Sequence, residues 1–77
     1  MEHAAGMKLK RSVTISGHRT SVSLEAEFWN ALIEIATATN QSLAQLIDDI
    51  DKRQGRGKNL SSALRIFVLA HYRNAGA

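Results

Sequence analysis

The chain has 77 residues with no cysteine and no proline, 44% apolar and 22% charged residues, and a net charge of +3. That length allows one domain and a thin core, and the missing cysteines exclude disulfide stapling and thiolate zinc, so a homodimer is the expected source of extra stability. No apolar run approaches the roughly 20 residues of a membrane span, and the first residues lack the apolar core of a signal peptide, which points to a cytoplasmic protein without membrane contact.

Charge is segregated along the chain. Residues 1–24 carry Lys8, Lys10, Arg11 and Arg19 against Glu2; residues 25–51 carry six acids and no base; residues 52–77 carry six bases and no acid. Two basic ends that meet in the fold would make a surface for a polyanion that the modest net value conceals. Residues 1–10 are expected to be a flexible N-terminal arm and residues 11–77 a single domain.

From Arg11 to Leu24, Val13, Ile15, Val22 and Leu24 alternate with Ser12, Thr14, Ser21 and Ser23. A period of two rich in β-branched residues predicts extended structure with one apolar and one hydroxylated face. Two arrangements satisfy it. Gly17-His18 can form a type II′ loop that sets Ile15 opposite Thr20 and Val13 opposite Val22, or a basic arm can lead into a single strand from about His18 to Leu24.

A helix is predicted from Glu25, with Phe28, Leu32 and Ile35 at helical spacing and Trp29, Ile33 and Ala36 beside them. It should stop near Thr39-Asn40, because asparagine tolerates the left-handed position after a helix end. Ser42 with Gln45 is a capping box that opens a second helix over 43–53, carrying Leu43, Leu46, Ile47 and Ile50. The adjacent Asp48, Asp49 and Asp51 are expected to face water rather than to bind metal. The stretch from Asp51 to Lys58 is polar and basic, with two glycines, and reads as a loop or a frayed end.

Asn59 can cap a third helix, where Leu60, Ala63, Leu64, Ile66, Phe67, Val68, Leu69, Ala70 and Tyr72 are apolar nearly all round. Such a helix must be covered on all sides, and a partner subunit is the expected second cover. Catalysis finds no support: no nucleophile stands beside a base, and His3, His18 and His71 share no metal-ligand spacing, so no enzyme, no cofactor and no metal are expected.

A short strand with a polar outer face followed by helices suits insertion of a two-stranded ribbon into the DNA major groove. The run from Arg19 to Leu32 resembles the strand and first helix of the ribbon-helix-helix (MetJ/Arc-type) DNA-binding proteins. Residues 11–21 and the run Asn59-Leu60-Ser61-Ser62-Ala63-Leu64-Arg65 are similar to a bacterial subgroup of short ribbon-helix-helix proteins, and the likeness covers about residues 11–73. It implies a mainly α fold with a short N-terminal β element, built as an intertwined homodimer with an additional C-terminal helix. It also implies base contacts from Arg19, Ser21 and Ser23, core positions at Val22 and Leu24, and a phosphate held near Ser42, at the start of the second helix. Lys8, Lys10, Arg11, His18, Arg53, Arg56 and Lys58 are further phosphate candidates, and Phe28, Leu32, Leu64, Phe67 and Val68 complete the expected dimer core.

The chain departs from that pattern in a possible extra strand before Arg19 and in a third helix, so the helix at 43–53 or the one at 60–73 is the counterpart of the usual second helix. A hairpin in each of two subunits would make a four-stranded sheet too wide for a ~12 Å groove, unless the first strand peels away. The expected function is that of a sequence-specific DNA-binding protein, a small nucleoid-associated transcriptional regulator or repressor that inserts a dimeric β-ribbon, one strand from each chain, into the major groove of double-stranded DNA. The competing expectation is a protein-interaction module, an adaptor or antitoxin-like subunit, that docks a partner protein through its acidic middle segment or its last helix.

Overall fold

The computed structural model describes residues 7–54 and 59–75. Two antiparallel strands, β1 (Lys8–Ile15) and β2 (His18–Glu25), precede three helices, α1 (Ala26–Ala38), α2 (Leu43–Gln54) and α3 (Leu60–Ala75). This is the expected mainly α fold, with a short N-terminal β element and an additional C-terminal helix. Lys8 and Lys10 belong to β1, so the strand starts inside the segment expected to be an arm; residues 1–6 of that segment lie outside the described residues.

The hairpin forms, with a loop one residue earlier than its sequence suggests. Ser16 (φ 52°) and Gly17 (φ 83°) occupy the two loop positions, and Ile15 pairs with His18, Val13 with Thr20, Arg11 with Val22 and Leu9 with Leu24. Positive φ at both positions is the type I′ pattern, whose twist matches that of the flanking strands. A Cβ on Gly17 would meet nothing within 4 Å, so the backbone angle rather than space calls for glycine there. Each partner moves by two residues relative to the expected register. A two-residue shift leaves every side chain on its expected face.

The inner face, with Val13, Ile15, Val22 and Leu24, lies against Trp29, Leu32, Ile35 and Ala36 of α1, Leu46, Ile47 and Ile50 of α2, and Ala63, Leu64 and Val68 of α3. Residues assigned to a dimer core therefore fill the chain's own interior: Val22, Leu24, Leu32, Leu64 and Val68 are buried in it, and Phe28 and Phe67 pack at its margin. Full burial of each large aliphatic side chain contributes about 1.5–3 kcal/mol.

Local signals set the helix ends. Asn40 is left-handed (φ 58°), Gln41 N–H donates to Ala36 O at 2.8 Å and Asn40 N–H to Thr37 O at 3.2 Å, a Schellman closure of α1. Ser42 Oγ accepts from Gln45 N–H at 3.1 Å and Asn59 Oδ1 from Ser62 N–H at 3.2 Å, capping α2 and α3. Asp51 corrects an expectation. It is 9% exposed, because it follows Ile47 by one turn and shares the buried side of α2. Asp48 accepts a hydrogen bond from Ser16 and pairs with Lys52 at 3.6 Å.

Side-chain bonds fix the hairpin to the helices. Trp29 Nε1 donates to Leu9 O at 2.9 Å, Ser16 Oγ to Asp48 Oδ1 at 3.2 Å, and Ser61 Oγ to Ser23 O at 3.2 Å. Arg65 forks onto Glu25, Nε to Oε1 at 2.9 Å and a terminal nitrogen to Oε2 at 3.3 Å. The hydrogen bonds from Arg65 hold the Glu25 carboxyl below its ordinary value of 4.5. A lowered folded value means the pair stabilises the fold above about pH 4.5 and is lost as pH falls through that lowered value. Glu25→Gln is expected to melt below the parent at pH 7, with the gap closing on acidification in parallel thermal scans; a gap that does not narrow as pH falls below 4.5 excludes this linkage.

Candidate nucleic-acid interface

Side chains alternate across a strand, so the register divides the hairpin into two faces. Toward the helices point Leu9, Arg11, Val13 and Ile15 with their partners Leu24, Val22, Thr20 and His18. Away from them point Lys8, Lys10, Ser12 and Thr14, opposite Glu25, Ser23, Ser21 and Arg19, except that the Glu25 carboxylate, at the end of the sheet, meets Arg65 of α3. Lys8, Lys10, Ser12, Thr14, Arg19 and Ser21 are exposed, and Ser23 is half-buried. Glu25, the acid of this face, is held by Arg65.

The outer face thus carries three cations and four hydroxyls. Successive outward residues on a strand stand about 6.8 Å apart, close to two base-pair rises along the DNA axis. Its hydroxyls donate and accept, and the forked Arg19 donors match the O6 and N7 acceptors of guanine.

The expected contact residues divide between the two sides of the sheet. Lys8, Lys10, Arg19, Ser21 and Ser23 come together on the outer face. Arg11 does not join them: one residue from Lys10, it points to the helix side, with its guanidinium carbon 5.3 Å from the centroid of the Trp29 ring. His18 shares that inward parity, opposite Ile15. Ser42 is engaged as the α2 cap, and Arg53 is exposed in the last turn of α2, suited to the negative end of the helix dipole. Arg56 and Lys58 lie outside the described residues. Ser12 and Thr14, absent from the expected set, stand directly opposite Ser21 and Arg19. The alternation that found β2 also marks these two, since they follow Lys8 and Lys10 at a spacing of two.

Away from the sheet, α3 turns only part of its circumference inward. Ile66, Leu69 and Tyr72 are 59%, 57% and 44% exposed, and together with Phe28, Arg65 and Val68 they line a shallow apolar hollow between α1 and α3. Tyr72 O–H donates to Glu34 at 3.0 Å on its rim. Among the described residues no cluster of three His, Asp or Glu side chains could hold a metal, and no helix is long and apolar enough to cross a membrane.

A family model described as a ribbon-helix-helix domain matches residues 8–72, from the first residue of β1 to the last turns of α3. The chain belongs to the ribbon-helix-helix domain family. Members of the ribbon-helix-helix family are in general DNA-binding regulators that act as dimers. Among solved structures, this ribbon-helix-helix chain is similar to an uncharacterized protein from Bordetella pertussis Tohama I, with a TM-score of 0.79 and 30% identity. The match covers 94% of this chain and 61% of that one, so the chain spans about three-fifths of its structural relative. No curated protein matches it.

Proposed function

We propose that this chain is a sequence-specific DNA-binding protein, a small transcriptional regulator of the repressor type, that places the outer face of its β-hairpin in the major groove and acts on the chromosome in the cytoplasm. The observation that carries this reading is the outer face itself, exposed, hydroxylated and cationic, with its acid held by Arg65. Arg19 reads guanine, Ser21 and Ser23 contact neighbouring base edges, and Lys8 and Lys10 hold phosphates. Arg11, His18, Ser42 and Arg53 stand off that face, and the two arginines act through the long-range positive field rather than by base contact.

The working unit is a homodimer in which a second copy covers the α1–α3 hollow. Charge favours a second copy over an unrelated protein. Glu27 and Glu34, seven residues apart, share one side of α1, and Arg73 lies near the end of α3, so a two-fold axis can set the acids of each chain against Arg73 of the other. Light scattering is expected to return about twice the 8.5 kDa chain mass.

The test is binding to random duplex DNA at low salt, followed by a salt titration. Each phosphate contact adds about −0.9 to the slope of log affinity against log salt, and Lys8 and Lys10 of two chains give a slope of about −3 to −4. No binding at low salt removes this reading and promotes the interaction-module alternative, in which the same hollow docks a different protein.

A further inference from the structure

We propose that the cleft where α1, α2 and α3 meet is a binding site for a small aliphatic α-amino acid, its side chain in the cleft and its two charges on α2. The site stands apart from the DNA-binding reading, because no residue of the hairpin lines this cleft.

The cleft has room for a ligand. Its volume is about 150 Å³, and a cavity of roughly that size accommodates a molecule as large as benzene. Ile35 of α1, Leu46 and Ile50 of α2 and Phe67 of α3 form its apolar wall, the first three 3%, 5% and 1% exposed. His71 extends that wall, its ring stacked on Phe67 with centroids 6.4 Å apart. Such a wall takes a branched side chain of roughly three or four carbons. The cleft and the α1–α3 hollow share no lining residue, so a second chain over the hollow uses none of these groups.

The polar groups at its mouth are unmatched. Asp48 and Lys52, one turn apart on α2, pair at 3.6 Å. Asp49 and Arg53 follow on the same helix with the same spacing and both border the cleft, yet neither is ion-paired among the described residues. Gln41, in the turn between α1 and α2, borders the cleft as well, and its Oε1 is buried without a hydrogen-bond partner. A buried acceptor left unbonded carries a desolvation cost that a donor removes.

These groups specify the ligand. Arg53 presents forked donors that match a carboxylate, while Asp49 and Gln41 present acceptors that match an ammonium. The matching molecule carries both charges close together at one end and an apolar body at the other, which is the chemistry of leucine, isoleucine or valine. Burial of the side chain supplies most of the affinity, since ion pairs at a wet rim contribute little, and the charges fix which way the ligand lies. Three helices share the wall, so a bound ligand bridges them and stabilises the folded chain by mass action.

Thermal melts of the full chain test this with L-leucine, 4-methylpentanoate and 3-methylbutylamine, the last two being leucine without its ammonium and without its carboxylate. L-Leucine at about five times its dissociation constant is expected to raise the melting temperature by about 4–8 °C, and each single-charge analogue by much less at the same concentration. Asp49→Asn and Arg53→Gln, each read against its own ligand-free melt, are expected to weaken leucine binding roughly three- to tenfold. Amide resonances of the isotopically labelled parent should move around Gln41, Asp49, Arg53 and His71. No response to leucine, isoleucine or valine overturns the proposal. So does an equal response to either analogue, an undiminished response in either variant, or resonance changes centred on Ile66, Leu69 and Tyr72, which would place the ligand in the α1–α3 hollow.

Discussion

Arg19→Ala is expected to cut the preference for the bound sequence over random duplex by about 1–3 kcal/mol, roughly five- to 150-fold, with little change in melting temperature. The side chain is exposed on the outer face beside Thr14, and Arg19 belongs to neither the core cluster nor the bonds that hold the hairpin, so its removal opens no cavity and orphans no buried partner. The effect falls on specificity because a guanidinium fork presents two donors that only guanine accepts in the major groove. Lys10→Ala is the contrast. It should weaken binding to all sequences alike and lower the salt slope by about 2, one contact from each of two chains. Competition of the selected site against random duplex separates the two. Unchanged preference in Arg19→Ala removes this residue as the reader and shifts the base contacts to the hydroxyl pairs.

Trp29→Ala is expected to leave the chain largely unfolded at 37 °C. The indole is 1% exposed, and replacing a buried tryptophan by alanine costs about 3–5 kcal/mol. A chain of this size has about 4–12 kcal/mol in total. The loss extends beyond packing, because Nε1 is bonded to Leu9 O and the ring lies beneath the Arg11 guanidinium, so the start of β1 loses an anchor together with the core. Trp29→Phe keeps most of the apolar contact and removes the donor, and it should show a smaller loss. Thermal melts followed by far-ultraviolet circular dichroism measure both, since either substitution removes the single tryptophan as a fluorescence probe. A near-parental melt for Trp29→Ala would place the indole outside the interactions that hold the core.

Much of this architecture is legible in the sequence because short-range rules decide it. Asn40, Ser42 and Asn59 mark helix ends by what one side chain or one φ angle can do, and all three act at the positions their spacing implies. The faces of the hairpin follow from a period of two, which a two-residue error in register does not disturb. The loop itself is not legible, because glycine alone does not distinguish type II′ from type I′; the second positive φ falls on Ser16, a residue with no special preference for it, whose hydroxyl bonds Asp48 on a helix 32 positions away. Arg11 and Asp51 escape a local reading because charge alone suggests solvent or phosphate. Parity turns Arg11 toward Trp29, and helical phase turns Asp51 inward beside Ile47 and Ile50. The Arg65 clamp on Glu25 joins positions 40 apart and leaves no local trace, yet it decides the charge of the outer face.

Both strands of the sheet lie in one chain, joined by the two residues Ser16 and Gly17. Closing so short a loop is a first-order event whose entropy cost does not depend on how many molecules are present, whereas a strand pair built from two chains dissolves as they are diluted. The sheet, with its exposed cationic and hydroxylated face, therefore assembles at any concentration of the chain. Scarcity then limits only how often two chains meet, and the shape each of them presents is unchanged.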